Sequence, residues 1–319
     1  MSRPVDYGLE YSPHDIVFMG WVGDEDGNYD GLKTALHYML ESGRRGYVGF
    51  GSDIGGYRGD SSAGPLGRTK ELFLRWTAIG ALSSFMENGG NGEHLPWRFD
   101  NETTDIYRSW VNLHYQLVPY LYSEGTKIAL GRNGTLMKPC DTIETLFSNS
   151  YFLGSSMFVV PVLQDPTPGQ TQHLWLPRSS TNQWIYYFNT SKTYKANTHI
   201  DEDTSRLDRI PLYVEQNSLI PMYDFEKDTS LHAFRFVLWG DIIIHKQETI
   251  MFTRDGQKWL LEFNYLEKQI SVHLIEQYDS NEREEWIWKF CQYVDQQEIC
   301  SQDWIRLYDG ATVALEFLI

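Results

Sequence analysis

Three short apolar runs near the start of the chain each end in acidic residues. Ile16-Val-Phe-Met-Gly-Trp-Val22 stops at Gly23-Asp24, and Gly46-Tyr-Val-Gly-Phe50 stops at Gly51-Ser52-Asp53. Ala81 to Met86 stops at Glu87-Asn88. If the runs are parallel strands of a βα barrel, their carboxyl ends are where an active site is built. Trp21, Phe50, Tyr57 and Trp97 flank these acids. Such rings stack on the apolar faces of a pyranose, while carboxylates bind its hydroxyls or move protons. Retaining glycoside hydrolysis needs an acid to protonate the leaving oxygen and a second carboxylate about 5–5.5 Å away as nucleophile. Plainer readings compete. Asp24 lies between a strand and a helix, where a helix cap also stands. Asp24-Glu-Asp26-Gly-Asn28 imitates the start of a calcium loop, but Tyr29 and Ala35 occupy the positions that need glycine and glutamate. Gly49-Phe-Gly51-Ser-Asp-Ile-Gly55 approximates a dinucleotide fingerprint, with its third glycine one residue late and no helix to receive a pyrophosphate.

The elements that must position these acids follow from periodicity. Leu32, Leu36, Met39 and Leu40 predict a helix over 30–42, closed by Gly43. A loop rich in Gly, Ser and Pro leads to Gly67, and a helix is predicted over 70–79. A long helix over 103–129 should be interrupted at Pro119, which lacks an amide hydrogen. Strands alternating with helices imply βα units on a parallel sheet. Three units are too few to close an eight-stranded barrel and are read as its last three. From Thr145 onward the pattern becomes short runs rich in Val, Ile, Tyr, Phe and Trp, such as Met157 to Val160, Trp184 to Phe188 and Arg235 to Leu238. These predict two β-sandwiches, divided near the charged stretch Asp224 to Thr229. Residues 275–285 are acidic and read as a solvated loop.

The 319 residues carry a formal net charge of −16, a sign that repels phosphate backbones and anionic lipid. Nucleic-acid and membrane-surface binding are set aside on that ground. The longest apolar run, Phe236 to Ile244, is broken by Gly240 and Asp241. No signal peptide opens the chain, which begins inside what reads as folded sequence. Cys140, Cys291 and Cys300 form no CxxC pair, and an odd, sparse set does not suggest a disulfide framework. Sequons at Asn101, Asn133 and Asn189 leave the compartment undecided.

Several motifs in order are similar to the central run of glycoside hydrolase family 31. They are Trp21-Val-Gly-Asp24, Asp30-Gly-Leu32, Gly51-Ser-Asp53-Ile-Gly-Gly-Tyr57, Glu71-Leu-Phe-Leu-Arg75-Trp76 and His94-Leu-Pro-Trp97-Arg-Phe99. Tyr151 to Val162 resembles the strand pair that follows the family's barrel, and Ile210 to Val214 with Ser218 to Pro221 resembles a later sandwich motif. The resemblance implies that Asp24 is the general acid/base, with Trp21 beside it lining the glycosyl subsite. It implies that Asp53 accepts sugar hydroxyls and that Tyr57 is a pocket aromatic, with Trp97 also on the wall. Arg3, in Ser2-Arg3-Pro4, resembles an arginine that binds sugar and steadies the acid/base. Two departures stand out. Where many members have Met-Arg-Asn-His, this chain has Met86-Glu87-Asn88-Gly89, so His94 is the candidate to replace the sugar-binding histidine. The family's nucleophile lies upstream of the arginine motif, so it is expected outside this sequence.

The expected architecture is α/β plus all-β: the last three βα units of a (β/α)8 TIM barrel over 1–135, then β-sandwich domains over 136–223 and 224–319. The resemblance implies hydrolysis of terminal α-glycosidic bonds with retention, α-glucosides foremost, acting on an oligosaccharide or glycoside. It implies no metal or organic cofactor, and a missing N-terminal barrel half needed for activity. The alternatives are a non-catalytic truncated fragment or a carbohydrate-binding protein. Glucose, xylose, galactose and sulfoquinovose are not distinguished.

Overall fold

The chain is described here from a computed structural model. It covers Pro13, 19–131, 134–140, 149–224, 232–239, 246–252, 257–264, 269–277, 286–294, 297–300, 305–306 and 311–314. Arg3 and the segment 225–231, with most of the proposed boundary at Asp224 to Thr229, lie outside the described residues. Two compact units emerge. The first joins Met1–His114, Lys127–Pro177 and Asn197–Leu212; the second joins Tyr115–Thr126, Arg178–Ala196 and Tyr213–Ile319.

The first unit opens with β1 (Met19–Trp21), α1 (Tyr29–Arg44) and β2 (Gly49–Gly51), and β1 and β2 pair in parallel with Trp21 opposite Gly51. This is the βαβ arrangement, in which a helix returns the chain to the same end of the sheet. Asn28 caps α1, its side-chain oxygen accepting from the Gly31 amide, so the cap is not Asp24. The helix buries Leu32, Ala35, Leu36, Met39 and Leu40. Burial of each large side chain is worth about 1.5–3 kcal/mol. Gly49 must be glycine: a Cβ there would lie 1.8 Å from Ser84 Oγ.

α2 (Lys70–Ala81) buries nearly every side chain from Leu72 to Ala81. It overturns the expected third strand over 81–86. The Leu82 amide still bonds back to Ala78 and Ile79, and Ser83 Oγ lies 2.8 Å from the carbonyls of both Gly80 and Phe85. The apolar Ala81-Leu82 is thus consumed by the helix terminus. The serine then satisfies the backbone locally, in competition with a ladder. Among the described residues, an isolated parallel bridge between Asp53 and Glu87 is what continues the sheet. Buried Arg75 on α2 donates to the carbonyls of Thr204 and Arg206. α3 (Asn101–Gln116) and α4 (Val118–Gly131) break at Leu117, two residues before Pro119.

Short strands follow: β3 (Met137–Pro139), β4 (Tyr151–Leu153), β5 (Met157–Val159), β6 (Thr171–Leu176), β7 (Gln183–Tyr186), β8 (Thr193–Lys195), β9 (Thr198–Asp203) and β10 (Leu212–Glu215). In the first unit β3, β4 and β5 form an antiparallel meander, and β6 pairs with β9. In the second, β7 lies antiparallel between β8 and β10. The second unit continues with β11 (Leu219–Tyr223), β12 (His232–Leu238), β13 (Lys246–Phe252), β14 (Gln257–Asn264), β15 (Gln269–Gln277), β16 (Trp286–Val294), β17 (Gln297–Cys300), β18 (Ile305–Arg306) and β19 (Ala311–Ala314). They form two sheets, β11-β12-β16-β17 with β18 on β16, and β13-β14-β15-β19. β12 and β16 are parallel; the other pairs in these sheets are antiparallel.

Two expectations change here. Residues 275–277 belong to β15 and not to a loop, and 278–285 lie outside the described residues. Cys291 is disulfide-bonded and sits directly opposite Cys300 across β16 and β17, while Cys140 is a buried free thiol. A hairpin register supplies a proximity that nine-residue spacing and an odd count conceal. Among the described residues no helix is long and apolar enough to cross a membrane.

Candidate active site

The carboxyl ends of β1 and β2 carry the expected residues. The ladder runs on beyond Trp21 through a Val22 amide bond to the Gly51 carbonyl, 3.1 Å. That register sets the end of one strand beside the end of the next. Trp21 Nε1–H donates to Asp53 Oδ2 at 2.7 Å. Asp53 is only 4% exposed, and its carboxyl is pushed up to about 6. Burial is the largest cause; the charges of Glu87 and Asp24 add to it, and the Trp21 bond opposes it. Asp24 and Asp53 therefore lie within electrostatic reach of each other. Asp24 is half-buried. Its neighbours in the acidic run are spent elsewhere, since Asp26 accepts from Arg58 Nε at 2.7 Å and Asn28 caps α1. Phe50, read as a flanking aromatic, is instead a core ring, fully buried edge-on to Tyr47.

Glu87 joins the pair through the backbone: the Ile54 amide donates to its carbonyl at 3.0 Å. Burial raises its carboxyl above the ordinary range, and Oε2 is closed to solvent with no hydrogen-bond partner. The loop that follows is built against the loop after β2. The Asn91 amide donates to the carbonyl of half-buried Tyr57 at 2.7 Å. Gly90 adopts φ +126°, and a Cβ there would come within 2.6 Å of the Tyr57 oxygen. Arg68, 1% exposed, closes the arrangement: it donates to the carbonyls of Gly55 (2.9 Å), Gly56 (3.0 Å), Asn91 (2.6 Å) and Glu93 (2.6 Å). Sequence reasoning missed it, because an arginine in a Gly-, Ser- and Pro-rich loop reads as solvated.

His94 is buried in the same loop. Its Nδ1 lies 3.0 Å from Asn88 Oδ1 and its Nε2 3.2 Å from the Asn91 carbonyl. Asn88 Nδ2 donates to the His94 carbonyl, which fixes the amide so that Nδ1 carries the proton. Burial, then the charge of Arg68, pushes the ring down to about 4, so it is neutral at neutral pH. The Nδ1–H thus donates to Asn88 Oδ1, while Nε2, unprotonated in this tautomer, only lies beside the Asn91 carbonyl. Trp97, on a short 3-10 turn (Pro96–Arg98), is 62% exposed.

Residues 14–124 match the model for the glycosyl hydrolases family 31 TIM-barrel domain, and residues 135–220 match that for the family's C-terminal domain. An α-xylosidase of Emericella nidulans is 29% identical over 233 residues, covering 69% of this chain and 27% of the relative. Alpha-glucosidase 2 of Bacillus thermoamyloliquefaciens is 22% identical over 284 residues, covering 83% and 34%. The chain thus spans about a quarter to a third of the length of the relatives it matches. Among solved structures, a family 31 α-xylosidase from Xanthomonas citri superposes with TM-score 0.72 at 17% identity, covering 92% of this chain and 34% of that one. A family 31 dextranase from Flavobacterium johnsoniae, complexed with glucose, gives 0.66 at 22%, covering 85% and 36%. These two likenesses show the fold. With two consecutive domain models matched over more than half its residues, the chain belongs to glycosyl hydrolase family 31.

Proposed function

We propose that this chain carries the acid/base side of a retaining α-glycosidase active site. Asp24 protonates the glycosidic oxygen as its bond to the anomeric carbon breaks. It then takes a proton from the water that hydrolyses the glycosyl intermediate. The carboxylate that forms this intermediate is supplied by a barrel segment outside this sequence. Asp53 accepts sugar hydroxyls, Trp21 and Tyr57 line the subsite, Trp97 stands at its outer wall, and Arg3 steadies Asp24. His94, whose Nδ1–H donates to Asn88 Oδ1, holds the Glu87–Asn91 loop and stands in for the family's sugar-binding histidine. Residues 1–135 are the carboxyl-terminal part of the barrel, with its third strand reduced to the Asp53–Glu87 bridge, and 136–223 and 224–319 are the two β-sandwich domains. The substrate is a terminal α-glycoside, a class supported by relatives named α-xylosidase and α-glucosidase.

One observation carries the reading. Asp53, buried at the end of β2, holds the indole of Trp21 from the end of β1 while feeling the charge of Asp24. The test uses the chain joined to the barrel segment that bears the nucleophile. Asp24→Ala should slow hydrolysis strongly for poor leaving groups and much less for activated aryl glycosides, which need little protonation. Azide should restore turnover and give a glycosyl azide of retained configuration. Equal loss on every substrate, without rescue, would leave Asp24 a structural residue and the chain a sugar-binding one.

A further inference from the structure

The three Asn-x-Ser/Thr triplets look alike in the sequence, and the structure separates them. Asn133 lies outside the described residues. Asn101 opens α3, and Thr103, two residues on, is fully buried. Thr103 Oγ1 donates to Asp100 Oδ1 at 2.7 Å, so the hydroxyl that completes the triplet is spent inside the helix's first turn. Asn189 stands instead in the turn between the paired strands β7 and β8. Its amide donates to the Tyr186 carbonyl at 3.2 Å, and the Lys192 amide donates to its own carbonyl at 2.9 Å. Asn189 Oδ1 accepts from the Ser191 amide at 3.2 Å, an Asx turn. Asn189 is half-buried and Ser191 exposed. Among the described residues, nothing else bonds the Asn189 carboxamide or the Ser191 hydroxyl.

We propose that Asn189 is an acceptor for N-linked glycosylation in a chain that passes through an oxidising secretory lumen. The donor is an oligosaccharide carried on a lipid pyrophosphate. The carboxamide nitrogen bonds to the anomeric carbon of its first sugar as the carbon–oxygen bond to pyrophosphate breaks. The lipid pyrophosphate leaves with the electron pair, and the nitrogen gives up one proton. The Ser191 amide at Oδ1 stabilises negative charge that builds on the carboxamide as that proton leaves. The turn projects the product, a bulky and hydrated group, at the surface. A second observation, far from the turn in sequence, points to the same compartment. Cys291 is disulfide-bonded, with Cys300 directly opposite, and such bonds persist in secreted and lumenal proteins but are rare in the cytosol. The remaining described cysteine, Cys140, is buried, which keeps its thiol out of exchange.

The experiment translates the 319-residue chain behind a cleavable secretion leader, in the presence of endoplasmic-reticulum microsomes. Leader cleavage reports translocation. Peptide-N-glycosidase in heavy-oxygen water then converts each glycosylated asparagine to a labelled aspartate, located by peptide mass. Asn189 should be labelled in most translocated molecules and Asn101 should not. Both local arrangements involve residues close in sequence, so they form without the rest of the fold. Asn189→Gln and Ser191→Ala should each abolish that label, and Ser191→Thr should keep it. The unreduced digest should contain the Cys291 and Cys300 peptides linked. The readout does not require that a variant fold or be exported. A translocated chain unlabelled at Asn189, or labelled equally at Asn101, overturns the assignment of the acceptor. Cys291 and Cys300 both remaining reduced in translocated chains overturns the assignment of the compartment.

Discussion

Replacing Asp53 by asparagine isolates what its burial costs. The carboxyl titrates near 6 in the folded chain against 3.8 ordinarily, so the native state holds the proton more tightly than the unfolded one. The stabilisation from that proton is full below pH 3.8 and is lost as pH rises through about 6. Once Asp53 is ionised, its shift of about two units, at about 1.36 kcal/mol each, costs about 3 kcal/mol. Asparagine keeps an acceptor for the Trp21 indole and never ionises. Asp53→Asn should therefore stabilise the chain by about 1 kcal/mol at about pH 4.5 and about 3 kcal/mol at about pH 8. The assay is urea unfolding followed by tryptophan fluorescence, with stability compared at both values. A difference that is flat with pH, or a variant less stable than the parent at about pH 8, would refute the buried-carboxylate argument. Loss of sugar binding should accompany the gain, as when a site is strained for function.

Two further changes test the scaffold. Arg68→Met keeps much of the side chain's bulk but strips four carbonyls of their donor. It should cost about 3–5 kcal/mol by denaturant unfolding, the range for breaking a buried charged interaction; a loss below about 1 kcal/mol would mean that water replaces the guanidinium. Gly49→Ala should cost about 1–3 kcal/mol from overpacking against Ser84, and adding Ser84→Gly should recover most of it. Simple addition of the two single effects would show that they do not share that contact.

The strand-end acids were legible because Gly-Asp closes the first apolar run and Gly-Ser-Asp the second, and a parallel sheet must deliver such residues to one end. The third run misled. Ala81 and Leu82 continue the helix's own apolar pattern, and Ser83 can satisfy backbone groups by itself, a competition that hydrophobicity does not register. The Asp53–Glu87 bridge was therefore foreshadowed only by the acid at position 87. Arg68 left no signal, since its partners are carbonyls that belong to no motif. The pairing of Cys291 opposite Cys300 was hidden for a related reason, because strand register is a property of two segments and not of either one.

The Arg68 clamp sets the grain at which this site can be altered. One guanidinium holds Gly55 and Gly56 from the loop after β2 together with Asn91 and Glu93 from the loop after Glu87. Exchanging either loop alone with a relative's would withdraw two acceptors and leave the buried cation half-satisfied. The natural module of exchange is thus discontinuous in sequence: residues 53–57, the arginine and residues 87–94 travel together. Grafts that respect that unit should fold, whereas single-loop chimeras should inherit a misplaced Tyr57 along with any new specificity.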